Sequence, residues 1–354
     1  MRNRRLIAIV AALVLLGALA FFGYRHWNAP VRTPLDDIAS WTPAETNAEI
    51  YIDLSSLRQS PFLAELFRWA PQPAADADYS QFVQSTGFDY EKDLNRVGIA
   101  TWKTGASTFL FAVAEGTFDH KKISTFAERN GSKEIRGARE IFSVPLSGSA
   151  RRITFTFLRN DLLVLSNNTN LEALLSEQHD GVDSQAWDER FRRLAGSPIF
   201  AVVRQDAAPG TALSSHAPGG LQSPQLSALV DQLQWITIAG KPVADNLRVV
   251  VEGESAADTT SRQLSDTLNG LLVLAQAGLN DPKMRQQLQP QVREAYLEML
   301  KSADVTRIDR GETKSVRLIL DLTPQFLEAA RNGTALVPTT PQSKPSPNKG
   351  TIRN

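Results

Sequence analysis

Four histidines, His26, His120, His179 and His216, are the side chains best suited to proton transfer or metal ligation near neutral pH. None has a second ligand at a spacing such as H-x-x-x-H, which would put two ligands on one helix face. Each reads as a solvated histidine. Ser214 and Ser215 lie beside His216 and place hydroxyls next to an imidazole, the ingredients of a serine hydrolase. Adjacency in sequence is not triad geometry, however, and there is no G-x-S-x-G elbow. A flexible loop is the better reading. Ser147-Gly148-Ser149 reads as turn chemistry.

Paired carboxylates could serve a glycosidase acting on wall polymers. The candidates are Asp76 and Asp78, in an Ala/Pro-rich stretch, and Asp89 and Asp93, which read as turn and cap residues. No twelve-residue calcium loop, phosphate loop or dinucleotide fingerprint is present. The chain has no cysteine, which excludes disulfides, thiolate nucleophiles, cysteine-ligated zinc and lipid attachment through a lipobox. From the sequence alone, no residue is assigned as catalytic, cofactor-binding or metal-binding, and no cofactor is expected.

The elements that would position any site begin with an apolar N-terminus. Leu6 to Tyr24 carries no charge over nineteen residues. As a helix it spans roughly 28 Å, close to the ~30 Å hydrocarbon core of a bilayer. Arg2, Arg4 and Arg5 precede it, and Phe21, Phe22, Tyr24 and Trp27 gather at its far end. Basic flanks stay cytoplasmic and aromatic rings settle at headgroups, so the pattern predicts an N-in, C-out anchor in the inner (plasma) membrane. The competing reading is a signal peptide cut after Ala20, since Ala18-Leu19-Ala20 fits the small-x-small rule. Hydrophobicity continuing through Phe21 and Phe22 favours the anchor. Both readings put the body outside the cytoplasm.

Lysine plus arginine equals aspartate plus glutamate at 38 each; without Arg2, Arg4, Arg5 and Arg25, 34 basic face 38 acidic residues. A body with that balance has no long-range attraction for nucleic acid, which is set aside as a partner.

The expected organisation is a cytoplasmic tip and transmembrane anchor over 1–27, a proline-containing linker over 28–45, a first α+β unit over 46–196, a second over 197–333, and a disordered Pro-rich tail over 334–354. In the first unit, strands are predicted at Glu49–Leu54, Arg96–Trp102, Thr108–Ala114, Glu140–Leu146, Arg152–Leu158 and Leu162–Ser166. Ser60-Pro61 opens a helix, Asp119 caps another that closes near Gly131, and a third runs from Gln185 to Leu194. Ile153, Phe155 and Phe157 alternate with Thr154 and Thr156, so one face of that strand should be buried.

The order then restarts. Ser197–Arg204 is a strand, Ser223-Pro224 opens a helix, and strands follow at Trp235–Ala239 and Asn246–Glu252. A long helix carries Leu264, Leu268, Leu271 and Leu272, and a glutamine-rich helix from Pro282 to Ser302 bends at Pro290. A hairpin of Val305–Asp309 and Ser315–Leu322 precedes a last helix from Pro324. The expected fold is therefore α+β: an N-terminal transmembrane helix followed by two similar units of antiparallel sheet, each with helices packed on one face. A single continuous mixed sheet is the alternative.

Asp53-Leu54-Ser55 before Ser60-Pro61-Phe62, and Thr86-Gly87-Phe88-Asp89 ahead of Asp93-Leu94, together with the anchor, resemble a group of uncharacterised bacterial single-pass envelope proteins. That resemblance implies the location and the duplicated α+β body, and carries no catalytic residues to transfer. The expected role is a non-enzymatic binding or scaffolding component of the cell envelope. Its partners would be the bilayer, through Leu6–Tyr24, and an envelope protein, lipid or wall component, with the Pro282 helix or a groove between the units as the contact surface. The rival is an envelope hydrolase whose site is assembled from distant residues.

Overall fold

The computed structural model describes residues 34–62, 77–146, 151–176, 182–205 and 224–332. Compact units cover Met1–Trp41 and Thr42–Asn354. Within the first, helix α1 spans Pro34–Ala39 inside the stretch expected to be a linker. Leu6–Tyr24 lies outside the described residues, as do Ser214–His216, His26, His179 and the tail. Among the described residues no helix is long and apolar enough to cross a membrane.

The second unit is built on one twelve-stranded sheet in which every neighbouring pair is antiparallel. Its strands are β1 Ala48–Asp53, β2 Leu94–Thr104, β3 Ser107–Gly116, β4 Ser132–Arg136, β5 Arg139–Pro145, β6 Arg152–Arg159, β7 Leu162–Ser166, β8 Ile199–Arg204, β9 Trp235–Val243, β10 Asn246–Ser255, β11 Asp304–Arg310 and β12 Thr313–Leu322. The two expected sheets are thus one. β1 and β8 pair at its middle, with Glu49 opposite Val202 and Tyr51 opposite Phe200. Outward from β1 run β2, β3, β7, β6, β5 and β4; outward from β8 run β9, β10, β12 and β11.

Alternation along these strands creates two faces. On one, Val203, Ile236, Ile238, Val251, Val305 and Val316 join Leu229 and Leu233 from the segment of helix α8 (Pro224–Val230), and Leu264 and Leu268 from α9 (Asp258–Asn280). The same face continues outward through Phe142, Phe155 and Phe157. These meet Ile123 and Ala127 of α5 (His120–Asn130) and Phe82 of α3 (Ala77–Thr86). Short helices α2 (Leu54–Leu57) and α4 (Tyr90–Asp93) precede β2, and α6 (Leu171–Ser176) follows β7.

The expectation that each unit packs its helices on one face is corrected by α7, Val182–Leu194. Its Phe191 meets Phe200 at 5.8 Å and its Trp187 meets Trp235 edge-on at 5.0 Å between ring centres. Phe200 and Trp235 alternate with Val203 and Ile236, so α7 lies on the opposite face. Burial of both faces also corrects the reading of β6. Thr154 and Thr156 are buried with Phe155, and Thr156 Oγ1 donates to the Glu140 carbonyl at 2.8 Å.

The glutamine-rich segment breaks as its proline dictates, into α10 (Pro282–Gln287) and α11 (Pro290–Lys301). Tyr296 of α11 packs on Phe326 of the last helix, α12 (Pro324–Asn332). Gly131 closes α5 where an added Cβ would sit 2.1 Å from the Ser143 carbonyl oxygen, so β5 approaches as only glycine allows.

Candidate functional site

The face covered by α7 carries the densest group of charged side chains in the described residues. β10 reads Val-Val-Val-Glu-Gly-Glu-Ser, and Glu252 and Glu254, two apart, point to one side of the sheet. Both are buried, Glu254 to 1% exposure. Isolated buried carboxylates would be costly, so they demand partners.

Four arginines from three elements supply them. On α7, Arg190 and Arg193 are three apart and so share a helix side. Arg190 Nη2 and Arg193 Nη2 each donate to Glu254, one to each oxygen. Arg193 Nη1 also reaches Glu252 Oε1 at 3.4 Å. From β11, Arg310 donates to both oxygens of Glu252, and its Nη1 donates to Ser315 Oγ at 2.7 Å. From β12, Arg317 donates to Glu252 Oε2 through Nε at 3.1 Å and Nη2 at 2.9 Å. Register explains the convergence: Glu252 sits directly opposite Arg317, and Glu254 opposite Ser315.

Burial pushes the Glu252 carboxyl up, and the hydrogen bonds from Arg310 and Arg317 more than reverse this, holding it below its ordinary range. Burial likewise lowers Arg190 against the raising effect of Glu254. The Arg190 guanidinium also lies over Trp235, 4.0 Å from the ring centre, where the π face favours a cation.

A third buried carboxyl sits on the same face at the middle of the sheet. Glu49 of β1 is 1% exposed between Ala100 and Val202. Thr42 Oγ1 donates to its Oε1 at 3.1 Å, and Oε2 has no partner among the described residues. Desolvation, opposed weakly by Thr42, pushes its pKa up to about 8.

Where they are described, the residues singled out from sequence make local contacts. His120 stacks on Phe157 at 3.8 Å and its Nε2 lies 3.0 Å from the Asn160 carbonyl. Asp89 caps α4 by accepting from the Glu91 N–H at 3.0 Å, and Asp93 accepts from the Asp89 N–H at 2.7 Å. Asp53 caps α2, accepting from the Ser56 N–H and Oγ at 2.9 Å each. Arg58 ties these turns together by donating to the Glu91 and Leu94 carbonyls. Asp76, and the side chain of Asp78, lie outside the described residues. Among those described, no three His, Asp or Glu converge as metal ligands. The groove expected between two units is replaced by backbone pairing of β1 with β8.

The arginine–glutamate cluster was not foreseen. Its one sequence signal is two glutamates at strand spacing in an otherwise apolar strand.

No protein-family model matches this chain, and no curated protein does. Solved structures give a distant overall likeness. Crystal form III of TP0453 aligns with a TM-score of 0.44 and 9% identity over 84% of this chain and 98% of that one. Crystal form IV gives 0.43 and 10% over 83% and 95%, and crystal form I gives 0.41 and 8% over 84% and 97%. Likeness at this level transfers no function.

Proposed function

We propose that this chain is an envelope protein held in the bilayer by Leu6–Tyr24, with an extracytoplasmic body that binds rather than catalyses. The observation that carries the binding reading is the state of the buried carboxyls. A general acid or base needs a pKa near the working pH and access to substrate. Glu252 is held ionised by its arginines. Glu49 is driven toward neutrality but is 1% exposed. Guanidiniums fixed around carboxylates suit recognition of an anionic partner more than proton transfer.

The strand orders support a duplicated body: β1-β2-β3-β7-β6 outward on one side matches β8-β9-β10-β12-β11 on the other, with β4–β5 as an added hairpin.

Because the chain has no cysteine, Lys283→Cys at an exposed position gives one labelling site. A membrane-impermeant maleimide should label that variant in intact spheroplasts of a bacterial host. Labelling only after lysis would place the body in the cytoplasm and overturn the proposal.

A further inference from the structure

The cluster on the α7 face is not charge-balanced. Among the described residues, Arg190, Arg193, Arg310 and Arg317 surround two carboxylates, Glu252 and Glu254, which leaves two positive charges in excess. Glu189, exposed on α7, also acts electrostatically on Arg190 and Arg310, and counting it still leaves one. A carboxylate offers about four lone-pair sites. Glu252 already receives two donors from Arg310, two from Arg317 and one from Arg193, so it can take no more.

The excess is reachable. Arg193, Arg310 and Arg317 keep 25%, 24% and 36% side-chain exposure, whereas Arg190 is buried under α7. Arg317 meets Glu252 through Nε and Nη2, which leaves both N–H groups of Nη1 outside that pair. Those three guanidiniums come from three different elements and are held in place by a buried carboxylate, so their entropy is already lost before a ligand arrives.

We propose that Arg193, Arg310 and Arg317 form a recognition site for a phosphate group. A carboxylate ligand presents two acceptor oxygens, whereas a phosphate presents at least two free ones in a tetrahedral array that several planar guanidiniums can approach from different sides. Glu252 acts as the positioning residue that gathers the guanidiniums. The group can arrive as free phosphate or on an anionic lipid headgroup, and the chemistry is the same. This deepens the binding reading by naming a ligand class, and it does not depend on the anchor: failure of the labelling experiment leaves it standing.

The test uses the full chain in a neutral detergent. Calorimetric titration is run with inorganic phosphate, with a short-chain phosphatidic acid below its micelle concentration, and with acetate at equal ionic strength. Saturable binding of phosphate or phosphatidic acid, with acetate inert, is the expected result, and the stronger of the two identifies the source. Arg317→Gln should weaken binding by about tenfold or more. Arg317→Lys, which keeps the charge on a single ammonium, should fall between. Arg248→Gln, which breaks an exposed ion pair with Asp321 elsewhere on the sheet, should bind as the natural chain does. Circular dichroism confirms that each variant is folded. No saturable binding of either phosphate compound, equal binding of acetate, or binding that a folded Arg317→Gln variant retains would overturn the proposal.

Discussion

Arg190 lies 4.0 Å over the ring of Trp235 while its Nη2 donates to Glu254, so one buried cation meets an aromatic face and a carboxylate together. That relationship ties α7, reached through the connection after β7, to β9 and β10 in the second half of the sheet. It is therefore a long-range restraint joining the two halves of the chain, in addition to the β1–β8 pairing.

Removing one partner should show how much the fold depends on it. Glu254→Gln leaves Arg190 and Arg193 without their shared counter-charge, and loss of a buried partner typically costs about 3–5 kcal/mol. Chemical denaturation should report a loss of that order. Arg190→Met with Glu254→Gln together should cost less than the two single losses added, since neither charge is then stranded. Additive losses would mean that the two side chains do not interact.

Glu49 should set the pH dependence of stability above the acid range. Its carboxyl is at about 8 in the folded chain against an ordinary 4.5, so folding takes up a proton between those values. Stability should fall as pH rises from 4.5 to 8 and level off above, by at most ~5 kcal/mol at 1.36 kcal/mol per unit. Glu252 has the opposite sign. Its lowered pKa contributes stability that is present above 4.5 and is lost as pH falls below it. In Glu49→Gln the downward slope between pH 5 and 8 should disappear, as measured by denaturant midpoints across that range. An unchanged slope would show that Glu49 is ionised in the folded protein.

Two glycines should respond to alanine in opposite directions. At Gly131 the new methyl would meet the Ser143 carbonyl oxygen at 2.1 Å, so backbone must move; a loss of about 2 kcal/mol or more is expected. At Gly270, inside α9, nothing lies within 4 Å of the added Cβ, and helix propensity should raise stability by roughly 0.5–1 kcal/mol. Thermal melts of both variants give the signs directly.

Much of the fold was legible because periodicity and caps are local. The β2–β3 hairpin, the Asp119 cap of α5, the break before Pro290 and the long α9 all follow from short-range patterns. β4 was missed because its Ser-Lys-Glu-Ile-Arg sequence has no apolar face to bury, as befits an edge strand with Ile135 exposed. The side on which α7 packs depends on long-range geometry. Its Trp187 and Phe191 show that a face is buried, and nothing local says against which side of the sheet. The charged cluster was hidden for the same reason: Arg190 and Glu254 are sixty-four residues apart and meet only where α7 packs on the sheet. Arginines in a helix otherwise rich in charge read as solvated until the partner strand is placed beside them.

The most direct test of the central proposal is intact mass combined with membrane fractionation of the chain expressed in a bacterial host. The expected result is full-length mass in the carbonate-washed membrane pellet, with Leu6–Tyr24 retained as the anchor. A mass beginning near Phe21 in the soluble periplasmic fraction would contradict it, making the protein a secreted one whose N-terminal segment only directs export.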